Sequence, residues 1–578
     1  MAERDVLVLR KTEDEKLRAH AERRFQAMMA SRECNDADWY EIAGLCMPQR
    51  SRQLVEGYKG KHRSASVKSN LWDGHAIRSF EVCSNGMLTG LSSRSRSWMK
   101  PVLADDDLMA FYPVRVWLDE VARLMNGAFA MSNFYEAALA CYLEMAGFGT
   151  AGNIMQGHRG TISANHPLTA GEYGISVGED TRVDALCRRF VLDARQMVEA
   201  FVVDRFDKRQ MHWDRVTLQV KEAWDKGAYG NGFTVCQVIE TNPAYVPGRL
   251  GKLGMPWRSI KWEQGQQDKK KFLAIEGYHD QPFMAPRWET LAGETWGTGR
   301  GKKALPDMRA LQLQAKRKGE ATDLLVKPPT WGPPNVSGSV SMTPGAHTTV
   351  AAVDIQRGIE PIYQMPYQAI GEIRQDVDDC RRAIDRMTYA DLFMAITNME
   401  GVQPRNVEEL VRRHEEQLTQ LGPVTDRVNV EFLQIAFDRM FGILSRGGLL
   451  PEAPEEIEGM EIQVDFTSVL TQAQRLLGIT QTERAVGFVG NLAAAVPEAL
   501  DNLDADAIVK DYWERSGAPA TGLRDPKQRD AMRQQRAQAQ QAERAAAMVP
   551  AVQQGADAAR LLSEADTGDG SLLERLVG

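Results

Sequence analysis

One run in the chain has a composition that suggests phosphate chemistry: GETWGTGRGKKALPDM, residues 293–308. A nucleotide cradle needs Gly-x-x-x-x-Gly-Lys-Ser/Thr, so that backbone N–H groups wrap the phosphates and a hydroxyl holds magnesium. Trp296 stands where the first glycine belongs and Lys303 where the hydroxyl belongs. The run reads instead as a flexible hinge feeding a helix, with Pro306 and Asp307 suited to its first turn. DTGDGSLLE, near the C-terminus, imitates a calcium loop, but Gly568 takes a ligand position and the turn glycine is misplaced. The nine histidines form neither His-x-x-x-His nor His-Glu-x-x-His, there is no Gly-x-Ser-x-Gly, and Asp105, Asp106 and Asp107 read as a solvated turn. Catalysis has no foothold in these patterns, and they imply neither cofactor nor metal.

The elements that would position any site form a chain of 578 residues, longer than one hydrophobic core organises, with 43% hydrophobic residues to build several regions. Lysine and arginine total 70 against 78 acids, a net charge of −8, so contact with nucleic acid is expected to be local or weak. Seven scattered cysteines without Cys-x-x-Cys fit a reducing compartment and no disulfide framework. No run of about 18 apolar residues occurs and the N-terminus turns charged at once, so neither membrane span nor signal peptide is expected.

Residues 11–47 read as helices ended by Pro48, with Leu17, Phe25, Met28, Met29, Trp39 and Ile42 apolar among charges. Asn133 and Glu136 are spaced as a capping box for NFYEAALACYLEMAGFG, which Gly147 and Gly149 end. Short β-rich runs (YGISV, FTVCQVIE, FLAIEGY) fill 150–290, and an α+β body, mainly helical, follows. After a helix over ALQLQAKRKGEATDLL, a Pro- and Gly-dense excursion separates it from a second helix. There Ile370, Ile373, Val377, Cys380, Ile384 and Met387 recur at spacings of three and four, a coiled-coil-like seam that wants a neighbouring helix. Continued through Leu392 and Phe393, that helix covers about thirty residues, on the order of 45 Å. Its other face is charged, from Arg374 to Arg386, and suited to water or an aqueous passage. TNMEGVQPRN interrupts, and Asn406 with Glu409 recaps a further helix. The Ala-, Gln- and Arg-rich C-terminal stretch is either a helix supported by like neighbours around a symmetry axis or a disordered tail.

Five segments, in this order, resemble the phage portal family, the head-to-tail connecting proteins of short-tailed, T7-like viruses. They are WYEIAGLCMPQRS, WDGHAIRSFEVCSNGMLTGLSSRSRSWM, NFYEAALACYLEMAGFGTAGNIM, GEYGISVGEDTRVDALCRRFVLDARQMVEAF and GYHDQPFMAPRWETLAGETWGTGRGKKALPDMRAL. The resemblance spans roughly residues 20 to 450. It departs from the family at Trp296, where tyrosine is usual, and in lacking a threonine-rich start to the helix after TNMEG.

What the resemblance implies is an elongated portal-type subunit of wing, stem, clip and crown that assembles into a ring with a central channel. The wing would be residues 1–300, the first stem helix 301–326, the clip 327–366 and the second stem helix 367–397. A tunnel loop and channel-lining helices would occupy 398–450, a return to the wing 451–500, and a crown or flexible region 501–578. Asn398, Glu400, Gln403, Arg405, Arg412 and Arg413 would then face DNA. The seam would join subunits, and Trp331, Pro333, Pro334 and Asn335 of the clip would dock tail and terminase. Implied partners are further copies, usually twelve, double-stranded DNA, the terminase large subunit, a tail adaptor, and the major capsid protein and scaffold. There would be no cofactor and no membrane, and the protein would sit at a capsid vertex after assembly in the host cytoplasm. The competing classes are a nucleic-acid-processing enzyme of phage or host, which would need the nucleotide or metal site lacking above, and a monomeric scaffold or adaptor.

Overall fold

Apolar stripes at helical spacing form α1 (Ala2–Ala30) and α2 (Glu33–Cys46), and Pro48 opens a 3-10 turn rather than prolonging α2. This computed structural model describes residues 2–54, 71–331, 360–361, 366–397, 421–466, 485–492, 503–515, 524 and 528–541, apart from 106–107, 110, 159, 205–206, 208, 250, 252–253, 269, 458–459 and 461. Next come α3 (His75–Leu91), strand β1 (Met99–Leu103), α4 (Tyr112–Met131) and α5 (Phe134–Phe148).

Helix α5 is the centre of the main core. Phe134 meets Phe129 at a ring separation of 4.5 Å and Phe432 at 5.9 Å, and Tyr142 is fully buried. Asn133 holds the N-cap position but caps nothing there. Its amide instead exchanges two 2.8 Å hydrogen bonds with the backbone of Asn165, because a neighbouring strand offers a better-placed pair than the helix start. Gly149, with φ +92°, ends the helix as expected.

The β-rich region forms β2 (Gly152–His158), β3 (Ile162–Leu168), β4 (Tyr173–Val177), β5 (Val183–Asp193), β6 (Gly232–Thr241), β7 (Trp257–Glu263), β8 (Ala274–Tyr278) and β9 (Phe283–Met284). Strands β4 to β8 make an antiparallel five-stranded meander in chain order, and β3, β2 and β9 a three-stranded sheet. In the meander Cys187 lies opposite Val238, and Cys236 shares their face; α1 covers that face with Ala21 and Met28. Arg18, fully buried, sits 4.9 Å from the Trp262 ring and donates to the Lys271 carbonyl, so this cation acts as a packing group.

Two long helices follow, α6 (Arg300–Val326) and α7 (Tyr367–Thr388), then α8 (Ala390–Thr397) and, after residue 420, a helical stretch ending in α9 (Gln434–Arg446). Strand β12 (Ile462–Phe466) pairs antiparallel with β1, Met99 opposite Phe466, which brings the chain back to its N-terminal body. A further helix, α10 (Ala505–Arg515), exchanges ion pairs between Asp506 and Arg529 and Arg533 of the helical stretch 528–541.

The thirty-residue helix expected from residue 367 is broken. Tyr389 adopts φ 58° and ψ 19°, the left-handed region, so α7 and α8 are separate helices about one residue. Pro306 lies within α6, in its second turn and not its first.

Candidate connector site: the joint and the helical pair

The glycine-rich run is a close-packed joint. Gly297, Gly299 and Gly301 press their backbones against the end of α5 at Gly147 and Gly149, and a Cβ on Gly299 would lie 2.7 Å from the Gly147 carbonyl oxygen. Glycine serves here to let two backbones touch. Hydrogen bonds fix the contact: Trp288 N donates to Gly149 O at 2.8 Å, and Gly297 N to Thr150 Oγ1 at 2.9 Å. Trp296, the departure from the usual tyrosine, is buried; it meets Trp39 edge-on at 5.1 Å, and its indole N–H donates to Ser31 Oγ. Lys302 and Lys303 are spent on Asp38 (3.1 Å) and Glu289 (2.5 Å). The joint is therefore tight where the sequence suggested flexibility, and both lysines have carboxylate partners.

From this joint α6 and α7 run antiparallel. At 1.5 Å per residue they are about 40 and 33 Å long. Near the body α6 buries Gly301, Ala304, Leu305, Met308 and Leu311; beyond Leu311 only Ala321 is buried. The far ends are tied by a ribbon of β10 (Thr330–Trp331) and β11 (Glu360–Pro361), with Trp331 opposite Glu360. The excursion expected between the helices thus starts and ends at one paired base.

The seam on α7 is real, but its partner lies within the chain. Val377 and Ile384 are buried in the main core, where α7 packs on α6 and α3. Those two residues are therefore unavailable as the contact between subunits that the seam suggested. Spacings of three and four demand a neighbouring helix without saying whose. Ile370, Ile373 and Cys380 are partly buried, and Met387 is 40% exposed.

Part of the charged face of α7 also turns inward. Arg381 pairs with Asp73 at 2.7 Å, and Asp385 accepts from Ser79 Oγ at 2.5 Å and lies 3.0 Å from His75 Nε2. Burial raises the Asp73 carboxyl, but the His75 backbone N–H and the Arg381 guanidinium outweigh it and hold Asp73 below the usual aspartate value. On α6, Arg309 forks onto Glu41 of α2 with two 2.5 Å hydrogen bonds, which lowers the Glu41 carboxyl. The helical pair is thus clamped to the body along two flanks.

Of the residues expected to touch DNA, Asn398, Glu400, Gln403, Arg405, Arg412 and Arg413 lie outside the described residues, as do Pro333, Pro334 and Asn335 of the clip and the cap Asn406–Glu409. Trp331 is placed by its backbone in β10. Among the described residues no group of His, Cys, Asp or Glu could hold a metal ion, and no helix is long and apolar enough to cross a membrane.

Sequence reasoning missed three buried charges that hold the body together. Glu144, fully buried, accepts from Arg50 at 2.5 Å, Thr169 Oγ1 at 2.7 Å and Ala170 N at 3.2 Å. Arg287 joins Glu431 to the Thr181 carbonyl across 2.5 and 2.7 Å. Arg439 reaches Asp280, which Arg446 also contacts. The sequence signal for Glu144 is only a lone charge in an apolar run, CYLEMAGF, and Arg439 beside Asp438 has not even that.

Comparison with known proteins gives the family. Residues 18–523 match the family described as bacteriophage head to tail connecting protein. The portal protein of Salmonella phage epsilon15 is 32% identical over 545 residues, 94% of each chain. A probable portal protein of Bordetella phage BPP-1 is 32% identical over 546 residues, 94% of this chain and 95% of its own. A chain from the virion of a native gene transfer agent particle aligns with 70% of this chain and 94% of its own, at 10% identity and a TM-score of 0.28. With residues 18–523 matched to the family and two relatives 32% identical over 94% of the chain, the chain belongs to the bacteriophage head-to-tail connecting proteins, the portal family.

Proposed function

We propose that the chain is one subunit of a closed ring at a capsid vertex, through whose channel double-stranded DNA is packaged and ejected. The observation that carries this reading is the antiparallel pair α6–α7 with its ribboned far end, anchored to the body by the glycine joint. In the ring, residues 1–300 form the wing, the pair forms the stem, 327–366 the clip and 367–397 the second stem segment with its break. Residues 398–450 supply the tunnel loop and channel wall, 451–500 return to the wing, and 501–578 form the crown. The pairing of β12 with β1 supports that return.

The distal half of the pair is two helices thick and leaves Leu313, Leu324 and Val326 exposed, at 48, 40 and 69%. Those side chains are where a neighbouring copy gains most by covering the stem. Asn398, Glu400, Gln403, Arg405, Arg412 and Arg413 face DNA, and an acidic chain offering few cations per subunit lets the duplex slide. The clip, with Trp331, Pro333, Pro334 and Asn335, docks the terminase large subunit during packaging and the tail adaptor afterwards. The wing meets capsid protein and scaffold. Hydrolysis belongs to the terminase; the portal itself is structural.

The test is the mass and image of the purified chain without nucleotide. Rings with a central hole, usually of twelve subunits in this family, are expected, and Leu324→Glu with Val326→Glu should yield folded single chains. A wild-type protein that stays monomeric at every concentration would sink the reading.

A further inference from the structure

The local sequence contributes little to the break between α7 and α8: Thr388 Oγ1 donates back to Ile384 O at 2.9 Å, which bends a helix without ending it. From Ile384 to Thr397, IDRMTYADLFMAIT holds neither glycine nor proline, and its residues are competent to form one helix. Tyr389 nonetheless sits at φ 58°, a conformation that a residue with a bulky side chain rarely adopts. Its backbone N–H is shared between the Asp385 and Arg386 carbonyls, as at a helix end, so the break begins at Tyr389 itself.

What holds the bend is tertiary. The Arg300 guanidinium, at the first residue of α6, stacks 4.4 Å from the Tyr389 ring and hydrogen-bonds its hydroxyl. Trp288 stacks on the other neighbour, 6.4 Å from Tyr389 at 22° and 5.8 Å from Arg300. Beyond the bend Phe393 sits on α3 where Gly86 has no side chain, and a Cβ there would lie 2.7 Å or less from three of its ring atoms. The bent state also leaves two buried donors, Trp288 Nε1 and Arg300 Nε, without a hydrogen-bond partner. Left-handed backbone and orphaned donors oppose the bend; the ring stack and the Gly86 seat favour it.

We propose that Tyr389 is a two-state pivot: Arg300 and the Gly86 seat latch it bent, and their release joins α7 and α8 into one continuous helix that lifts Phe393 off α3. Such an element moves because its two arrangements are each locally complete, a helix on one side and a latched turn on the other. The latch ties the start of α6 to the end of α7, so a displacement of one long helix against the other is transmitted to α8.

The experiment uses the full-length chain with paired spin labels at Thr89 on α3 and Met394 on α8, introduced through a ketone-bearing amino acid so that the native cysteines remain. Wild type should give one short distance. Arg300→Met and Gly86→Ala should each raise the long-distance population at least tenfold relative to the short one. Amide exchange in β5 to β7 reports that the body is intact, and Arg300→Lys, which keeps the charge but loses the planar stack, replaces Arg300→Met if the latter does not fold. Unchanged distances in the Arg300 and Gly86 variants overturn the pivot.

Discussion

Two glycines of the same helix should respond to the same substitution with opposite sign. Gly319, in the distal half of α6, has nothing within 4 Å of an added Cβ, so Gly319→Ala gains only helix propensity, about 1 kcal/mol. Gly301, the second residue of the same helix, gains at most the same propensity but meets the joint. Its Cβ would lie 2.7 Å from Ile42 Cγ2 and closer still to the Gly147 carbonyl oxygen. Carbon atoms settle at about 3.5–4.0 Å, so roughly 1 Å of overlap must be relieved. One wall is backbone already tied through Gly149 to Trp288 N and cannot rotate away. Overpacking of this kind costs about 1–3 kcal/mol, and a rigid wall argues for the upper end. Subtracting the propensity gain leaves Gly301→Ala destabilised by about 2 kcal/mol and separated from Gly319→Ala by about 3 kcal/mol. Urea unfolding at fixed protein concentration measures this, followed by tryptophan emission because Trp39, Trp288 and Trp296 surround the joint. A Gly301→Ala midpoint at or above wild type would refute the close-packed joint.

Glu144→Gln should lower stability by about 3 kcal/mol in the same assay, because it leaves Arg50 without its charged partner at a buried site; a change under 1 kcal/mol would show the pair to be dispensable. Lys302→Ala should cost less than about 1 kcal/mol, since its pair with Asp38 is exposed, and calorimetry should find the same lack of ATP binding before and after the substitution. Asp73 has a folded value below its unfolded one, so its contribution is present above the ordinary aspartate range and is lost as pH falls through the lowered value. Asp73→Asn should therefore flatten the acid limb of stability against pH while leaving its neutral-to-basic side unchanged in slope. Deleting residues 399–403 should leave rings intact while assembled heads fail to retain full-length DNA, measured as encapsidated genome length; full, stable heads would remove that segment from the mechanism.

Much of the fold was legible because helices and strands announce themselves by period. The β-rich middle and the helix ending at Gly149 form where the spacing places them, and Val377 and Ile384 of the seam are buried. Partner choice was not legible. Val377 and Ile384 need a helix opposite them, and period alone cannot distinguish α6 and α3 from a second copy. The glycine run could be excluded as a phosphate cradle from two residues, Trp296 and Lys303. Its close packing shows only when Gly147 and Gly149, about 150 residues earlier, arrive beside it. Tyr389 gave no signal at all, since its break is imposed by Arg300 and Trp288 against the preference of its own neighbours.

The pairing of β1 with β12 sets a timetable. Met99 waits for Phe466, so the body stays open at that edge until more than 360 further residues have been made. At about 5–20 residues per second the interval is on the order of 20–70 s. During it β1 presents an unsatisfied row of N–H and C=O groups flanked by Trp98, a template for pairing with any exposed strand. The helical pair and everything at its far end are synthesised inside that window, so the outward-reaching part of the subunit exists before its base is sealed. Chains truncated ahead of Ile462 should accumulate as insoluble material, whereas those ending just after Phe466 should stay in solution.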